Sequence, residues 1–312
     1  MLDRVVPSGE PLLVACSGGA DSSSALIAVA RSGRSVTAAH FDHRLRSREE
    51  AAADRAVVSA LAAALHVPLL CGEGTGASPA EEAAREERYH WLASAAAEAG
   101  AAHVVTGHTL DDQAETVLFR LVRGAGLAGA AGMADVAPWP VAAGEAMRVV
   151  RPLLGIERRE IEAYLAALGI EPRHDSTNDD PAYSRNRIRH RVLPDLGAIN
   201  PQVARALADF AVRAARDDEA LEAWAEAAFA SLACVEPGRV TLDRARLRAL
   251  PGAVRARVIR QAAAHLGTAL LAAHIEAAER AIRRSGTAVS LPSAGLEVQG
   301  ETVLITRVHE GG

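Results

Sequence analysis

The sequence contains no lysine, and all 34 of its basic residues are arginine. No side-chain amine of this chain can therefore act as a nucleophile or as a phosphate-binding group. Cysteine is also scarce: Cys16, Cys71 and Cys234 are far apart and odd in number. This pattern excludes a disulfide framework and a CxxC metal or redox pair, and we expect each cysteine to be a small residue of the core.

Long apolar segments are absent as well. No stretch approaches the roughly 20 apolar residues needed to cross a bilayer, and residues 1–4 lack the basic start of a signal peptide. The composition, with 49% hydrophobic and 23% charged residues, is that of a soluble globular protein. The missing apolar segment predicts no membrane partner, and the cysteine pattern predicts a reducing, cytoplasmic setting.

The charge of the chain is a weaker signal, because a net charge of −5 does not by itself indicate a nucleic-acid partner. The arginines are nevertheless clustered. Residues 241–284 contain nine arginines and three acids, and residues 182–191 contain four arginines and no acid. Local basic patches of this kind suit nucleic-acid phosphates, although solvated helix faces have a similar composition.

The first part of the chain alternates between strand and helix patterns. Repeated βα units predict a Rossmann-like α/β fold, with a mainly parallel sheet and helices on both faces. The predicted strands cover residues 12–16, 35–41, 67–71, 102–105 and 148–150, and the clearest helices cover 48–65 and begin at a capping sequence in 78–81. Ligands bind such sheets beyond the carboxyl ends of the strands. Three polar loops fall there, at residues 17–22, 41–46 and 106–112.

The first of these loops lies between a buried strand and a helix and contains two adjacent glycines. Glycines let the backbone approach an anion closely, and the free N–H groups at the start of the following helix favour phosphate. The loop is not a Walker A loop, which needs a lysine, and an ordinary glycine turn is the alternative. The candidate ATP-binding residues are Ser17, Gly18, Gly19, Ala20, Asp21 and Ser22, with His40 and Gly107 from the other two loops. Asp21 is also the candidate Mg²⁺ ligand, and a helix cap is its alternative role.

Acidic side chains concentrate in the other two loops. Residues 40–46 contain Asp42 with two histidines and two arginines, and residues 107–116 begin a helix on which Asp112 and Glu115 share one face. Thr109 is a predicted helix cap with Asp112 at the third position, so capping is the alternative role for Asp112. An acidic cluster beside a bound nucleotide would suit Mg²⁺ or a cationic amine.

Taken in order, these motifs resemble those of one family, the tRNA(Ile)-lysidine synthetases of the PP-loop ATP pyrophosphatase superfamily. The matching segments are SGGADS at 17–22, HFDHRLR at 40–46, AREERY at 84–89, GHTLDDQAET at 107–116, RGAGL at 123–127, GM at 132–133, RPLL at 151–154, DSTN at 175–178 and YSRNRIR at 183–189. Thr109 and Ala125 depart from the histidine and serine that are common at those positions. No motif from Asn200 onwards matches.

The resemblance implies a two-step reaction. ATP would adenylate the 2-carbonyl oxygen of the wobble cytidine in an isoleucine tRNA with a CAU anticodon, and the ε-amine of L-lysine would then displace AMP. Acidic side chains would hold the lysine ammonium and accept its proton, while arginines would offset phosphate charge. The implied catalytic residues are Asp42, His108, Asp112, Glu115 and Arg185. The implied contacts to lysine or tRNA are Arg44, Arg46, Arg120, Arg123, Asn186, Arg187 and Arg189, and which arginine serves which role is left open.

The rest of the chain predicts a second, smaller domain. Asn200 and Pro201 predict the start of a long helix to about Leu232, followed by shorter helices to Arg284 and by strands at 287–291, 295–299 and 302–306. We expect a PP-loop catalytic domain over residues 1–197 and a mainly helical α+β domain over 198–312. The basic patch of the second domain is predicted to bind the tRNA through Arg246, Arg257 and Arg260. The alternative is a module that packs on the first domain or forms a homodimer.

Three other functions use parts of the same pattern. A tRNA thiolase adenylates a base in the same way but needs a catalytic cysteine or a cysteine-bound iron–sulfur cluster, which three isolated cysteines do not favour. A non-catalytic RNA-binding protein would not need the intact acidic residues, and a small-molecule amide synthetase would not need the arginine-rich segments. ATP–pyrophosphate exchange, with and without tRNA and lysine, separates these functions.

Overall fold

The computed structural model describes residues 2–45, 47–76, 81–144, 146–170 and 184–308. Arg46, residues 78–80, the segment 175–178 and Tyr183, all of which entered the sequence predictions, lie outside these ranges. The chain divides into two compact units, Met1–Ala214 and Ala215–Gly312. Their boundary falls within one long helix, and the domain boundary predicted after residue 197 stays a prediction.

The first unit alternates strands and helices along the chain. Its strands are β1 (Leu12–Ala15), β2 (Val36–Asp42), β3 (Leu69–Glu73), β4 (His103–Val105), β5 (Val136–Pro138) and β6 (Arg148–Val150). Its helices are α1 (Leu2–Val5), α2 (Ala20–Ala30), α3 (Arg48–Ala64), α4 (Glu81–Glu98), α5 (Leu110–Val122), α6 (Leu127–Ala130), α7 (Arg158–Ala167), α8 (Ser184–Arg187), α9 (Leu193–Ile199) and the first part of α10 (Val203–Leu232). A π-helical turn, Ile188–Val192, joins α8 to α9.

The six strands of the first unit form one sheet in the order β3-β2-β1-β4-β6-β5. All neighbouring strands pair in parallel except the edge strand β5. The mainly parallel sheet is confirmed, and the five predicted strands are present with ends shifted by no more than about two residues. The prediction missed β5, which is short and contains Pro138. A proline cannot donate to a ladder and is tolerated at a sheet edge.

Helices cover both faces of this sheet, as predicted. Leu12 and Val14 of β1 pack with Leu26 of α2 on one face. Leu13, between them in sequence, packs with Leu92 of α4 on the other face. Because both faces of β1 are buried, the strand appears in the sequence as an uninterrupted apolar run rather than as an alternating pattern.

The start of α10 differs from the prediction. The helix begins three residues after the predicted cap Asn200, whose Oδ1 accepts from the N–H of Gln202 at 3.0 Å and whose carbonyl accepts from the N–H of Val203 at 2.9 Å. These local bonds form a turn that precedes the helix, because an asparagine side chain can bond to the backbone two residues on. The helix therefore begins at Val203.

The second unit combines an antiparallel sheet with helices, which confirms the predicted α+β class. Beyond α10 its elements are β7 (Ala233–Glu236), β8 (Arg239–Asp243), α11 (Arg244–Ala249), α12 (Gly252–Ala264), α13 (Ala272–Ile282), β9 (Ala288–Leu291), β10 (Ala294–Gln299) and β11 (Thr302–Arg307). The strand order is β7-β8-β11-β10-β9, and all pairs are antiparallel. Buried residues of α10, α12, α13 and the sheet form one apolar core.

The prediction missed the β7–β8 hairpin, which lies where helices were expected. Glu236 pairs with Arg239 across the turn residues Pro237 and Gly238, and Gly238 has a φ of +74°. Proline followed by a glycine with positive φ is typical of a type II turn.

The prediction of three core cysteines is wrong for two of them. Cys16 is buried, but Cys71 and Cys234 are exposed. Both lie on edge strands, β3 and β7. An edge strand has a neighbouring strand on only one side, so its side chains are covered less completely than those of a central strand.

Candidate active site

The glycine loop connects β1 to α2 at the carboxyl edge of the parallel strands. Gly18 has a φ of +94°, a conformation that favours glycine. Gly107, after β4, lies so close to α2 that a Cβ atom on it would be 2.7 Å from the backbone nitrogen of Ser22. Gly19 is the N-cap of α2 and provides no side-chain hydrogen bond to the helix. A helix start without a side-chain cap is suited to binding an anion.

Two polar side chains hold the loop in this shape. Ser22 Oγ accepts from the backbone N–H of Ser17 at 3.1 Å and donates to the carbonyl of Gly19 at 3.2 Å. His40, buried on β2, donates from Nδ1 to the carbonyl of Cys16 at 3.0 Å. Ser22 and His40 were predicted to contact ATP, and their observed contacts are to the loop itself.

A cavity of about 580 Å³ lies above this edge of the sheet. It is lined by eleven of the residues predicted for the site: Ser17, Gly19, Ala20, Asp21, Ser22, His40, Asp42, Gly107, His108, Asp112 and Arg189. The three polar loops therefore converge as expected. The predicted residues that do not line the cavity, among those described in the first unit, are Gly18, Arg44, Glu115, Arg120, Arg123, Arg185, Asn186 and Arg187. Arg88 and Arg158 line it although neither had a predicted role.

Helix α5 begins with the predicted capping box. The backbone N–H and the hydroxyl of Thr109 donate to Asp112 Oδ2 at 2.9 and 3.0 Å, and the N–H of Asp112 donates back to Thr109 Oγ1 at 3.4 Å. One oxygen of Asp112 thus serves as a cap. The other oxygen, Oδ1, is left for a second partner.

That second partner is Arg189, from the π-helical turn. Its Nη2 donates to Asp112 Oδ1 at 2.9 Å and to Glu115 Oε2 at 2.9 Å, while its Nε donates to Glu115 Oε1 at 2.5 Å. Glu115 is buried, and this burial raises its pKa above the usual range, although the hydrogen bonds from Arg189 oppose the shift. The acids were predicted to hold a cation, and in the structure the cation they hold is a guanidinium of the same chain.

A second arginine binds the acid of the glycine loop. Arg158, the first residue of α7, donates from Nη2 to Asp21 Oδ2 at 3.0 Å, and its backbone N–H donates to Asp111 Oδ2 at 2.8 Å. Burial raises the pKa of Asp21 to about 6, and the charge of Arg158 opposes that shift. The prediction missed Arg158, although it begins the helix that follows the last parallel strand, which is a signal that could have found it.

His108 lies between acidic and basic groups. Its Nδ1 is 2.8 Å from Thr106 Oγ1. Burial lowers its pKa to about 4; nearby Asp112 opposes this shift, and Arg151 and Arg88 reinforce it. The imidazole is therefore neutral near pH 7, so it can exchange hydrogen bonds but carries no positive charge.

The remaining predicted side chains of the first unit take up several different contacts. Asp42 accepts from the backbone N–H of Arg44 at 2.8 Å, and the Arg44 side chain pairs with Glu73. Arg120 donates to the carbonyls of Gly129 and Gly132 at 3.2 and 2.6 Å. A further contact brings two guanidiniums onto one aromatic ring: Arg123 and Arg185 lie 5.1 and 5.7 Å from the ring centroid of Phe119.

The three arginines predicted to bind RNA in the second unit are not equivalent. Arg257 is mostly buried, and its side chain pairs with Asp218 and Glu222 of α10. Arg246 is exposed and donates to Ser231, and Arg260 is exposed. A buried ion pair is poorly placed to release its arginine to a phosphate, which narrows the RNA-contact prediction to Arg246 and Arg260.

Two family models match the chain. A PP-loop domain model matches residues 3–196, and a TilS substrate binding domain model matches residues 242–303. The first match covers the sheet, the glycine loop and the cavity. The second covers most of the second unit after α10.

Similar proteins with curated names cover nearly the whole chain. The tRNA(Ile)-lysidine synthase of Thermobifida fusca is 39% identical over 306 residues, covering 93% of this chain and 90% of the relative. That of Salinispora tropica is 40% identical over 320 residues, covering 98% of this chain and 93% of the relative.

Among solved structures, the U34-tRNA thiolase NcsA from Methanococcus maripaludis has a TM-score of 0.54 at 15% identity, covering 67% of this chain and 74% of the thiolase. At that identity the likeness concerns the fold alone. Among the described residues, no group of three or more His, Cys, Asp or Glu side chains could hold a metal ion. None of the helices in the described part of the chain is long and apolar enough to cross a bilayer.

Proposed function

This chain belongs to the tRNA(Ile)-lysidine synthase family, and we propose that it ligates L-lysine to the 2-position of the wobble cytidine of a tRNA(Ile) with a CAU anticodon. Its PP-loop domain uses ATP. The observation that carries the proposal is the convergence of three features on one cavity: an uncapped helix start for phosphate, arginines beside it, and Asp112, which shares Arg189 with the buried Glu115, for an amine.

In the first step, the 2-carbonyl oxygen of the cytidine attacks the α-phosphorus of ATP. A new oxygen–phosphorus bond forms, and the bond to the β-phosphate oxygen breaks as pyrophosphate leaves. The N–H groups at the start of α2 stabilise the phosphates, because this helix start lines the cavity and has no side-chain cap. Gly107 allows the loops to approach closely enough to enclose them.

The residues at the loop fit a magnesium ion that is held mainly by the substrate. Asp21 Oδ1 is buried and has no hydrogen-bond partner, which leaves one carboxylate oxygen for a ligand. Mg²⁺ commonly takes one or two carboxylates with phosphate oxygens and waters, so a cluster of three protein ligands is not required. Bound there by Asp21, the ion would neutralise phosphate charge.

In the second step, the ε-amine of L-lysine attacks C2 of the adenylated cytidine, and AMP leaves with the former carbonyl oxygen. Glu115 and Asp112 bind the incoming ammonium, since they already hold a cation in the structure. The ammonium must lose a proton before it attacks. Glu115, whose pKa is raised by burial, accepts that proton. Arg189 must release part of its contact with these acids for lysine to enter.

ATP–pyrophosphate exchange tests this function directly. Exchange should require the isoleucine tRNA, and net AMP release should require both that tRNA and lysine. Exchange with lysine alone would indicate a small-molecule synthetase, and tRNA-dependent AMP formation that needs a sulfur donor would indicate a thiolase. No exchange under any condition would leave a non-catalytic RNA-binding protein.

The second unit is proposed to bind the body of the tRNA. Its exposed arginines Arg246 and Arg260 suit phosphate. The alternative role, a homodimer contact, predicts a dimer in solution whose tRNA affinity does not depend on these two side chains. A cytoplasmic location remains part of the proposal, as it was predicted from the cysteine pattern.

A further inference from the structure

Arg158 is fixed in place beside the glycine loop by helix packing. Helix α7 packs on α2, the helix that follows the loop, through a core of Ile27, Ile161 and Leu165. Arg31, the residue directly after α2, also donates to the hydroxyl of Tyr164 at 3.3 Å. Since both helices belong to one packed layer, the first residue of α7 has a defined position relative to the first turn of α2.

The contacts of Arg158 orient its guanidinium and leave donor capacity unused. Nη2 is held by Asp21 at 3.0 Å, whereas Nε is buried without a hydrogen-bond partner. The side chain is 35% exposed and lines the cavity together with Ser17 and Gly19 of the loop. A buried guanidinium nitrogen without an acceptor is costly in a folded protein and is commonly satisfied by a ligand.

The charge distribution of the cavity singles out the same residue. A leaving pyrophosphate carries several negative charges, and this chain has no lysine to neutralise them. The other described arginines that line the cavity are Arg88 and Arg189. Arg189 is bound to Asp112 and Glu115. Arg88 Nε is also buried without a hydrogen-bond partner, but Arg88 lies on α4 and not on a helix in contact with the glycine loop through an ion pair. Arg158 is the one in contact with the first turn of α2.

We infer that Arg158 binds the β- and γ-phosphates of ATP and stabilises pyrophosphate as it leaves, and that Asp21 positions the guanidinium for this task. The inference rests on the proposed function, in which pyrophosphate is the first product. It gives Asp21 a second role beside that of a magnesium ligand: one oxygen holds Arg158, and the other is open to a ligand. An arginine fork, which binds two phosphate oxygens at once, replaces the lysine of other phosphate-binding loops.

The test compares Arg158→Ala and Arg158→Lys with the control Arg159→Ala. Arg159 is the next residue of α7, has an 80% exposed side chain, and pairs with Glu157 at 2.5 Å. Binding of inorganic pyrophosphate alone, thermal unfolding, the rate of tRNA adenylation and the KM for lysine are measured for each protein. The first of these needs no catalysis.

For Arg158→Ala we expect pyrophosphate affinity to fall at least tenfold and adenylation to slow on the order of 100-fold, as when one transition-state donor is removed. Arg158→Lys should recover part of both losses, and the KM for lysine should stay unchanged in every variant. Arg159→Ala should match the wild type.

Wild-type pyrophosphate affinity in Arg158→Ala would overturn the inference. The inference would also be overturned if the losses of pyrophosphate affinity and adenylation rate accompanied a lowered unfolding temperature and were not recovered in the Arg158→Lys variant. Such losses would show that Arg158 has a packing role. A wild-type protein that forms no AMP with tRNA and lysine would refute the proposed function instead. The pyrophosphate measurement would still decide whether Arg158 binds that anion.

Discussion

Replacing Glu115 with glutamine separates the two half-reactions. Glu115 is 7% exposed and accepts two hydrogen bonds from Arg189, at 2.5 and 2.9 Å. Glutamine keeps the size of the side chain and its helical position but removes the charge, and its NH₂ group faces one of the Arg189 donors. Asp112 continues to accept from Arg189 at 2.9 Å, so the guanidinium is not left without an anionic partner.

The two effects of Glu115→Gln have different sizes. Hydrogen bonds to charged groups contribute about 1.5–3 kcal/mol, and one of them can be kept by the glutamine oxygen, so the free energy of unfolding should fall by roughly 1–2 kcal/mol. Loss of a general base slows the step that uses it by about 10²–10⁴-fold. Only lysine transfer should show that loss, because adenylation uses the groups at the glycine loop.

Single-turnover labelling with ATP radioactive in the α-phosphate measures both steps. The variant should transfer labelled AMP to tRNA at close to the wild-type rate, and the adenylated tRNA should then persist at lysine concentrations that discharge the wild-type intermediate. Glu86→Gln, at an exposed position of α4, is the matched control and should behave like the wild type. If Glu115→Gln transfers no AMP to tRNA at all, Glu115 belongs to the ATP site and the lysine assignment is wrong.

Three further predictions follow from the described contacts. Burial raises the pKa of Asp21 to about 6, and adenylation needs the ionised carboxylate, so the adenylation rate should fall as the pH drops through about 6. The Asp21→Asn variant should be slow at every pH. A wild-type adenylation rate that is flat across this range would contradict the proposed role of Asp21. Stability should change with pH in the opposite direction to the adenylation rate. The pKa of Asp21 in the folded protein lies above the ordinary value near 4, so ionisation of Asp21 destabilises the fold as the pH rises from about 4 to 6. Asp21→Asn should reduce that pH dependence in thermal unfolding. Arg246→Gln and Arg260→Gln should weaken tRNA binding and each lower the slope of log affinity against log salt by roughly one unit. Arg257→Gln should mainly lower the unfolding temperature. Unchanged tRNA affinity in the Arg246 and Arg260 variants would favour a packing or dimer contact. Gly107→Ala places a Cβ atom 2.7 Å from the Ser22 nitrogen, so it should lower the free energy of unfolding by about 1–3 kcal/mol and weaken ATP binding. Gly155→Ala, with open space at its Cβ, should change neither stability nor ATP affinity in the same assays.

Local sequence patterns predicted those parts of the molecule that local interactions determine. The run at residues 12–16 indicated a strand because both of its faces are buried, and Thr109 with Asp112 indicated a helix start because the capping bonds span only three residues. The short hairpin of β7 and β8 was missed because its apolar residues follow a long helix without a break in composition, and Pro237 and Gly238 are the one turn signal.

The contacts that organise the active site could not be predicted in the same way. Arg158 and Asp21 are 137 positions apart in sequence, and Arg189 and Glu115 are 74 apart. Each pair depends on how α7 and the π-helical turn pack against other elements, which composition and spacing do not specify. The exposure of Cys71 has the same origin, because it depends on β3 being an edge strand rather than on the apolar residues around it.

Arg189, which holds the acidic pair, lies on the π-helical turn, so its position depends on how that turn is wound. In this turn the N–H of Leu193 bonds to the carbonyl of Ile188, five residues back, so the turn contains one residue more than an α-helical turn. A change to α-helical winding would rotate the flanking residues by about 100° relative to one another, because each residue of an α-helix advances by that angle. Arg189 could not keep both Asp112 and Glu115 through such a rotation. An amine that replaces Arg189 on these acids should therefore alter amide hydrogen exchange at residues 188–193. The exchange rates of this one short segment would then report whether the substrate amine has entered the site.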